Sequence, residues 1–372
     1  MRGFRLIHER GPSMRLDVFS PYSVVAVIMI YLSLALTGIG LGLRGLEPPS
    51  ALSIIYIATG TVALAAGVYL SSGFRIGNIR THEGSESFLV ALVIAGILIQ
   101  AINLYILGGI PLLSGYLKAR AVTKLWFISY LIFLPSINIL LAAYPRRKYY
   151  IPLIMGAILF ALTGYRTTVV VILLSGTITL YYSARPSWRE LGVLISALAV
   201  AALLVGYVAV KSIEWQTWTL NPAELLLYRA GYTLTVFDRI ISLQGATGGK
   251  LLYYTLTGYI HSTDPRAIVG EAVLGYSHST TSTIFGPSLL DFGLHAMVLQ
   301  MFIMGLLLGL MHRIQGVLDG FFTGIYSIIL AQTIVWVETG PTDLVVWVFY
   351  LTGFISAIYV LWRCYSEAGS CS

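Results

Sequence analysis

Apolar runs separated by short polar clusters fill this chain from residue 19 to residue 362. Ten of them, at 19–43, 50–71, 88–110, 125–144, 150–165, 167–183, 190–210, 288–311, 317–337 and 343–362, approach or exceed the length that crosses a bilayer. A hydrocarbon core about 30 Å thick takes roughly 20 helical residues, and lipid offers backbone polar groups no partner, so such runs fold as helices. The pattern predicts an all-α, polytopic membrane protein with about ten transmembrane helices, a single membrane domain over 1–372. The fifth and sixth runs are short, and "ALTGYRTTVVVILLSG" places Arg166 between them. The one long gap, residues 211–287, predicts a large outer loop, and it contains at least one helix.

Composition agrees: 57% of residues are hydrophobic and 10% charged, with a mean hydropathy of +0.82. Lysine and arginine in short loops set orientation. Arg2, Arg5, Arg10 and Arg15, then Arg75 and Arg80, Arg146, Arg147 and Lys148, Arg185 and Arg189, Arg313, and finally Arg363 all fall on one side when ten spans are counted. That side is the cytoplasm, which puts both termini inside and Arg166 and the large loop on the outer face of the cell membrane. The net charge of +7 is then mostly cytoplasmic and does not point to nucleic acid. The first span lacks a cleavage site and is read as an uncleaved helix. Cys364 and Cys371 fall in the cytoplasmic tail and predict no disulfide. No Cys/His cluster has zinc spacing. "GATGGKL" departs from a phosphate loop, "DFG" at Asp291 has no kinase context, and no internal repeat stands out.

Charge on the outer side remains to be explained. Lys118, Arg120 and Lys124 have no acid beside them, and Arg166 follows on the same side. In the large loop Lys211, Arg229, Arg239, Lys250 and Arg266 face Glu214, Glu224, Asp238, Asp264 and Glu271. Each cation either anchors a helix end to lipid phosphate or grips the phosphate of a substrate. Gly164 keeps the backbone open beside Arg166. "NPAELLLYRAGYTLTVFDRIISLQ" opens on Asn221, Pro222 and Glu224, an N-cap, a first-turn proline and a capping-box acid, so a helix starts there. On an unbroken helix Arg229 and Arg239 lie about 15 Å and roughly 80° apart, too far to clamp one phosphate without a bend at Gly231. One could hold a diphosphate while the other holds a sugar or pairs with Asp238. Beyond Gly249 the chain is rich in Gly, Ser, Thr, Tyr and Pro and reads as irregular loop.

"GGIPLL", "LTGYRT", "YRAGYTLTVFDRI" and "STTSTIFGPSLLDFG" occur in this order on one topology. In that order they resemble the oligosaccharide repeat-unit polymerases, the Wzy-type O-antigen polymerase group, over roughly residues 19 to 340. The resemblance implies an outer-face enzyme that moves a growing glycan from its polyprenyl diphosphate carrier onto a lipid-linked repeat unit. Donor, acceptor and membrane lipid are then its partners, alongside a flippase or a chain-length regulator. Many members of the group have more spans than the ten counted here.

The residues suit that chemistry. A sugar on a lipid diphosphate already has a good leaving group, so the site needs cations for the departing diphosphate and a base for the acceptor hydroxyl. Arg166 and Arg229 are expected to stabilise the diphosphate, with Arg120 and Arg239 in support. His278 in "YSHSTT" is the first choice of base, against a structural hydrogen-bonding role. Asp291 and His295, at i and i+4, would share a helix face at the outer end of a span. Glu271 and Asp264 are further candidates. The scheme needs no metal or cofactor. A ligase using the same donor, a metal-dependent glycosyltransferase, a lipid-linked oligosaccharide transporter and an inert membrane protein are the competing readings. The first outer loop, "RGLEPPS", has only Glu47, short of a paired acidic motif, and the apolar spans lack the mid-membrane charge a transporter uses.

Overall fold

The computed structural model describes residues 17–74, 76–77, 84–184, 186–211, 220–261 and 263–369. Arg2, Arg5, Arg10, Arg15, Arg75, Arg80, Arg185, Glu214 and Cys371, used above for orientation and charge balance, lie outside the described residues. Among those described there are helices and turns and no strand.

The helices are α1 (Ser23–Gly40), α2 (Ala51–Ser71), α3 (Glu86–Ile106), α4 (Gly115–Ala119), α5 (Lys124–Ala143), α6 (Tyr150–Ala161), α7 (Arg166–Ala184) and α8 (Trp188–Lys211). They continue as α9 (Pro222–Ser242), α10 (Lys250–His261), α11 (Pro265–Leu274), α12 (Gly286–Phe292), α13 (Leu294–Leu318), α14 (Phe321–Thr339) and α15 (Leu344–Gly369). Nine of the described helices are long and apolar enough to span a membrane: α1, α2, α3, α5, α7, α8, α13, α14 and α15. The tenth expected span is α6. Its 12 residues reach only about 18 Å, because the chain turns at Leu162–Tyr165 with Gly164 at φ +79°.

α14 is the hub of the bundle. Tyr326, Trp336 and most of its other side chains are buried, and it packs against α1, α5, α7, α13 and α15. At one end of the bundle Glu86 accepts from Arg146 Nη1 at 2.7 Å and Lys148 Nζ at 3.1 Å, Arg313 donates to the Ser72 carbonyl at 2.6 Å, and His312 meets Asp17 at 2.8 Å. The opposite end carries the α1–α2 connection, α4, the start of α7, and the helices between α8 and α13.

The long loop is largely helical. α9 starts where its capping box predicts: Glu224 N–H donates to Asn221 Oδ1, and Asn221 N–H to Glu224 Oε2, both at 2.9 Å. Its buried residues, among them Leu225, Ala230, Leu234, Phe237 and Ile241, recur at helical spacing, and that face packs on α1. Gly38 permits the approach, since a Cβ there would lie 2.4 Å from the Leu227 carbonyl oxygen. The expected irregular stretch beyond Gly249 instead forms α10, α11 and α12. α11 begins at an Asp264 cap followed by Pro265 and ends on Gly275 at φ +79°, and α10 is capped from a distance by Asp291.

Candidate functional site

α14 runs through apolar sequence and ends in Glu338, Thr339 and the cap Gly340 at φ +76°. Two arginines from distant parts of the chain meet the Glu338 carboxylate. Arg166, the first residue of α7, donates through Nη2 to Glu338 Oε1, and Arg229 of α9 reaches the same oxygen from Nε and Nη2 at 3.2 Å. The side chains are 20% exposed at Arg166, 19% at Glu338 and 37% at Arg229, so the cluster is sheltered without being sealed.

Lys118 on α4 adds a third cation. The turn at Gly164 holds it close: a Cβ there would sit 3.3 Å from Lys118 Cδ and from Leu112 Cα, and Tyr165 Oη donates to the Lys118 carbonyl at 3.1 Å. Burial first, then the Arg229 and Arg166 charges, hold the Lys118 amine below the usual lysine range. Arg166, Arg229 and the nearby Lys118 bring three positive charges to a group with one carboxylate, an arrangement that attracts an anion. Tyr31 of α1 lies in the field of Glu338 and both arginines, its hydroxyl buried.

A second pair flanks the first. Arg266 Nη2 contacts both oxygens of Asp343 at 2.8 and 2.7 Å, and its Nε donates to Thr342 Oγ1 at 3.3 Å. Glu338, in the last turn of α14, and Asp343, on the α14–α15 connection, are therefore the partners of three arginines, and both fall within "ETGPTD". Neither acid was among the residues expected above. The signal was present: two carboxylates bracket a Gly-Pro turn between apolar spans, where an acid without a partner is costly. Arg166, Arg229 and Arg266 thus have protein carboxylates as partners and are not left to external anions alone.

Of the expected residues, Arg166 and Arg229 come together and the others do not join them. Arg120 caps α4 and lies 4.3 Å from the Tyr116 ring centre. Arg239 is exposed on α9 and lines a cavity with Arg44, Glu47, Tyr228 and Tyr232. Its neighbour Asp238 turns to α2, where it accepts from Ser50 N–H at 2.9 Å and from the Ser50 and Ser53 hydroxyls. His278 is exposed, its ring 6.2 Å from that of Tyr276. Asp264 caps α11, and Glu271 lies exposed on the same helix. Asp291 and His295 do not share a helix, because Gly293 at φ +82° separates α12 from α13. Asp291 is buried and accepts from Thr247 Oγ1 at 2.5 Å, Leu251 N–H at 3.0 Å and Leu252 N–H at 2.6 Å, while His295 is exposed.

Comparison with known proteins returns one family profile, described as "Putative O-antigen polymerase", matched by residues 17–350. The chain is 26% identical over 295 residues to the Uncharacterized protein MJ0419 of Methanocaldococcus jannaschii, covering 76% of this chain and 78% of that protein. It is 31% identical over 141 residues to the Uncharacterized protein MJ0420 of the same organism, covering 38% and 34%. No solved structure matches. With its multi-pass helical fold and a profile match across most of its length, the chain belongs to the O-antigen polymerase family of membrane glycan polymerases.

Proposed function

We propose that the chain transfers a growing oligosaccharide from a polyprenyl diphosphate carrier to the end sugar of a second lipid-linked unit, on the outer face of the membrane. The observation that carries this reading is the convergence of Arg166 and Arg229 on Glu338, with Lys118 in the field of both arginines, three cations to one carboxylate. The diphosphate of a lipid-linked sugar is a dianion of matching charge, and it gains a third negative charge as the bond to the sugar breaks.

In the proposed step the acceptor hydroxyl oxygen bonds to the donor's anomeric carbon as the bond from that carbon to the diphosphate breaks. Arg166 and Arg229 turn from Glu338 to the diphosphate oxygens, offering planar forks that suit phosphate, and Lys118 adds a point charge. The hydroxyl proton goes to Glu338, which the arginines have released. His278 is the second candidate base, and an exposed position on the loop bordering α9 leaves it open to substrate. Arg120, Arg239, Asp264, Glu271, Asp291 and His295 then lie outside the bond-breaking step. The charge that the leaving group needs is supplied by side chains, so the reaction is expected to be metal-independent.

The test is incubation of the purified protein with defined lipid-linked repeat units in the presence of a divalent-metal chelator. Longer lipid-linked chains are expected, and they should fall away in Glu338→Gln more than in His278→Ala. Transfer of finished glycan to another lipid or protein, without chain growth, would make the protein a ligase. Activity that returns only on adding manganese or magnesium would overturn the metal-independent step.

A further inference from the structure

Just past Glu338 in the chain, Pro341 lines an apolar groove of about 300 Å³ that runs between α10, α12, α13 and α15. α13 supplies Ala296, Leu299, Ile303 and Leu307 to its wall, α10 supplies Leu252 and α12 Phe292. From Ala296 to Leu307 the lining follows α13 for about three turns, roughly 16 Å along the axis. Leu252, Phe292, Leu299 and Ile303 are exposed. α13 is one of the helices long and apolar enough to span the membrane, so its exposed apolar side chains meet hydrocarbon and the groove opens sideways into lipid.

One turn of chain joins this groove to the arginine cluster. Gly340 packs tightly on the start of α12, where a Cβ would lie 2.7 Å from the Thr283 carbonyl oxygen and 3.1 Å from Pro287 Cγ. Trp347, on the groove wall, donates from Nε1 to the Pro341 carbonyl at 3.1 Å. The same turn holds Arg266 through Thr342 and Asp343, and Glu338 before it holds Arg166 and Arg229. Between Glu338 and Pro341 the chain can extend no more than about 11 Å. An apolar slot open to the membrane thus ends beside a cluster in which cations outnumber carboxylates. The ligand that fits both parts has a hydrocarbon chain with an anionic group at its end. A phospholipid brings two chains and one phosphate, whereas a polyprenyl diphosphate brings one chain and two phosphates. The volume, at the low end of the range of about 300–1,000 Å³ for ligand sites, suits a single chain, and the surplus of cations suits the diphosphate.

We propose that this groove seats the part of a polyprenyl chain nearest its diphosphate, entered sideways from the membrane between α10 and α13, so that the head group falls among Arg166, Arg229 and Lys118. The proposal rests on the polymerase reading for the identity of the lipid, and it adds where the chain lies and from which side of the bundle the carrier enters.

The test uses farnesyl diphosphate bearing a photoreactive diazirine at the far end of its chain, added to the full-length protein in phosphatidylcholine nanodiscs, with cross-linked peptides read by mass spectrometry. Labelling is expected on the stretch of α13 that holds Leu299, Ile303 and Leu307, and an excess of geranylgeranyl diphosphate should remove it. Phosphatidylcholine with the same diazirine in one acyl chain should label that stretch no more than it labels α8, where Val193, Val200 and Leu204 are also exposed. Ala296→Trp and Ile303→Trp, which put a ring into the groove, should each lower farnesyl labelling at least about tenfold. Ile151→Trp, at an exposed position on α6 outside the groove, should leave it unchanged. Farnesyl labelling spread evenly over the lipid-facing helices, equal labelling of the groove by the phosphatidylcholine probe, or full labelling in both folded groove variants would overturn the proposal. If a variant fails to fold, the contrast between the two probes on the wild-type protein still decides. Labelling with the expected pattern in a protein that fails to lengthen lipid-linked chains would support the groove and sink the polymerase reading. Chain growth without such labelling would sink the groove alone.

Discussion

Arg166 is where the residue scale decides most. Its position between two apolar runs marked it in the sequence, but its partner Glu338 lies 172 residues away and could be paired with it only once α7 and α14 were packed. A role as a helix-end anchor predicts that Arg166→Lys keeps activity, because charge and flexible stem survive. A forked contact to the leaving diphosphate predicts a ten- to hundredfold loss of turnover, since a charge-assisted bond contributes about 1.5–3 kcal/mol. Arg166→Ala should lose more, and Lys124→Ala, exposed at the start of α5, should lose little; polymer yield per folded protein separates the cases. Lys118 adds a pH signature. With its amine held below the usual lysine range by burial and the two arginines, its charge is present at low pH and is lost as pH rises through that lowered value. The alkaline decline of activity should therefore move upward in Lys118→Arg, which stays charged, in a rate profile taken from about pH 7 to 10. An unchanged decline would remove Lys118 from the site.

At the scale of elements, α9 carries the site because it is held against α1. The capping box and amphipathic spacing made this helix legible from sequence alone. α10 to α12 were not, although "TDPRAIVGEAVLG" contained the Asp-Pro start and glycine stop of α11; the dense hydroxyls and glycines around them mimic loop. α10 had a further disguise, since the carboxylate receiving its first N–H groups, Asp291, comes 40 residues later. Gly38→Leu should test the mounting of α9. The larger side chain would strike the Leu227 backbone, and overpacking of this kind typically costs about 1–3 kcal/mol. Forcing α9 outward should break the Arg229 contact with Glu338 and lower turnover about tenfold or more, with helical content retained. Gly40→Ala, where a Cβ meets nothing within 4 Å, is the control. Equal activity in both would show that α9 needs no seat on α1.

Across the whole molecule, hydropathy and length were enough to read a polytopic helical bundle, and nine of the ten expected spans are long apolar helices. The remaining one, α6, was misjudged in extent because hydropathy does not register the left-handed turn that stops it. The two ends of the bundle are chemically distinct: Arg146, Lys148 and Arg313 gather at one, the arginine cluster at the other. If the cluster faces outward, a cysteine introduced as Thr247→Cys should react with an impermeant reagent from outside intact cells while Cys371 does not; the reverse pattern would end the outer-face assignment. The shared carboxylate then bears on how the cycle closes. Glu338 is tethered beside its arginines at a high effective concentration, so in the proposed mechanism it would rival the spent carrier for them and recapture them as the carrier departs. An enzyme that grips a diphosphate only to split it off, with a further negative charge, needs such a competitor, or its own product would hold it idle. Glu338→Gln should accordingly make farnesyl diphosphate a stronger inhibitor of whatever turnover remains, and inhibition no stronger than in the wild-type protein would show that the carboxylate has no part in release.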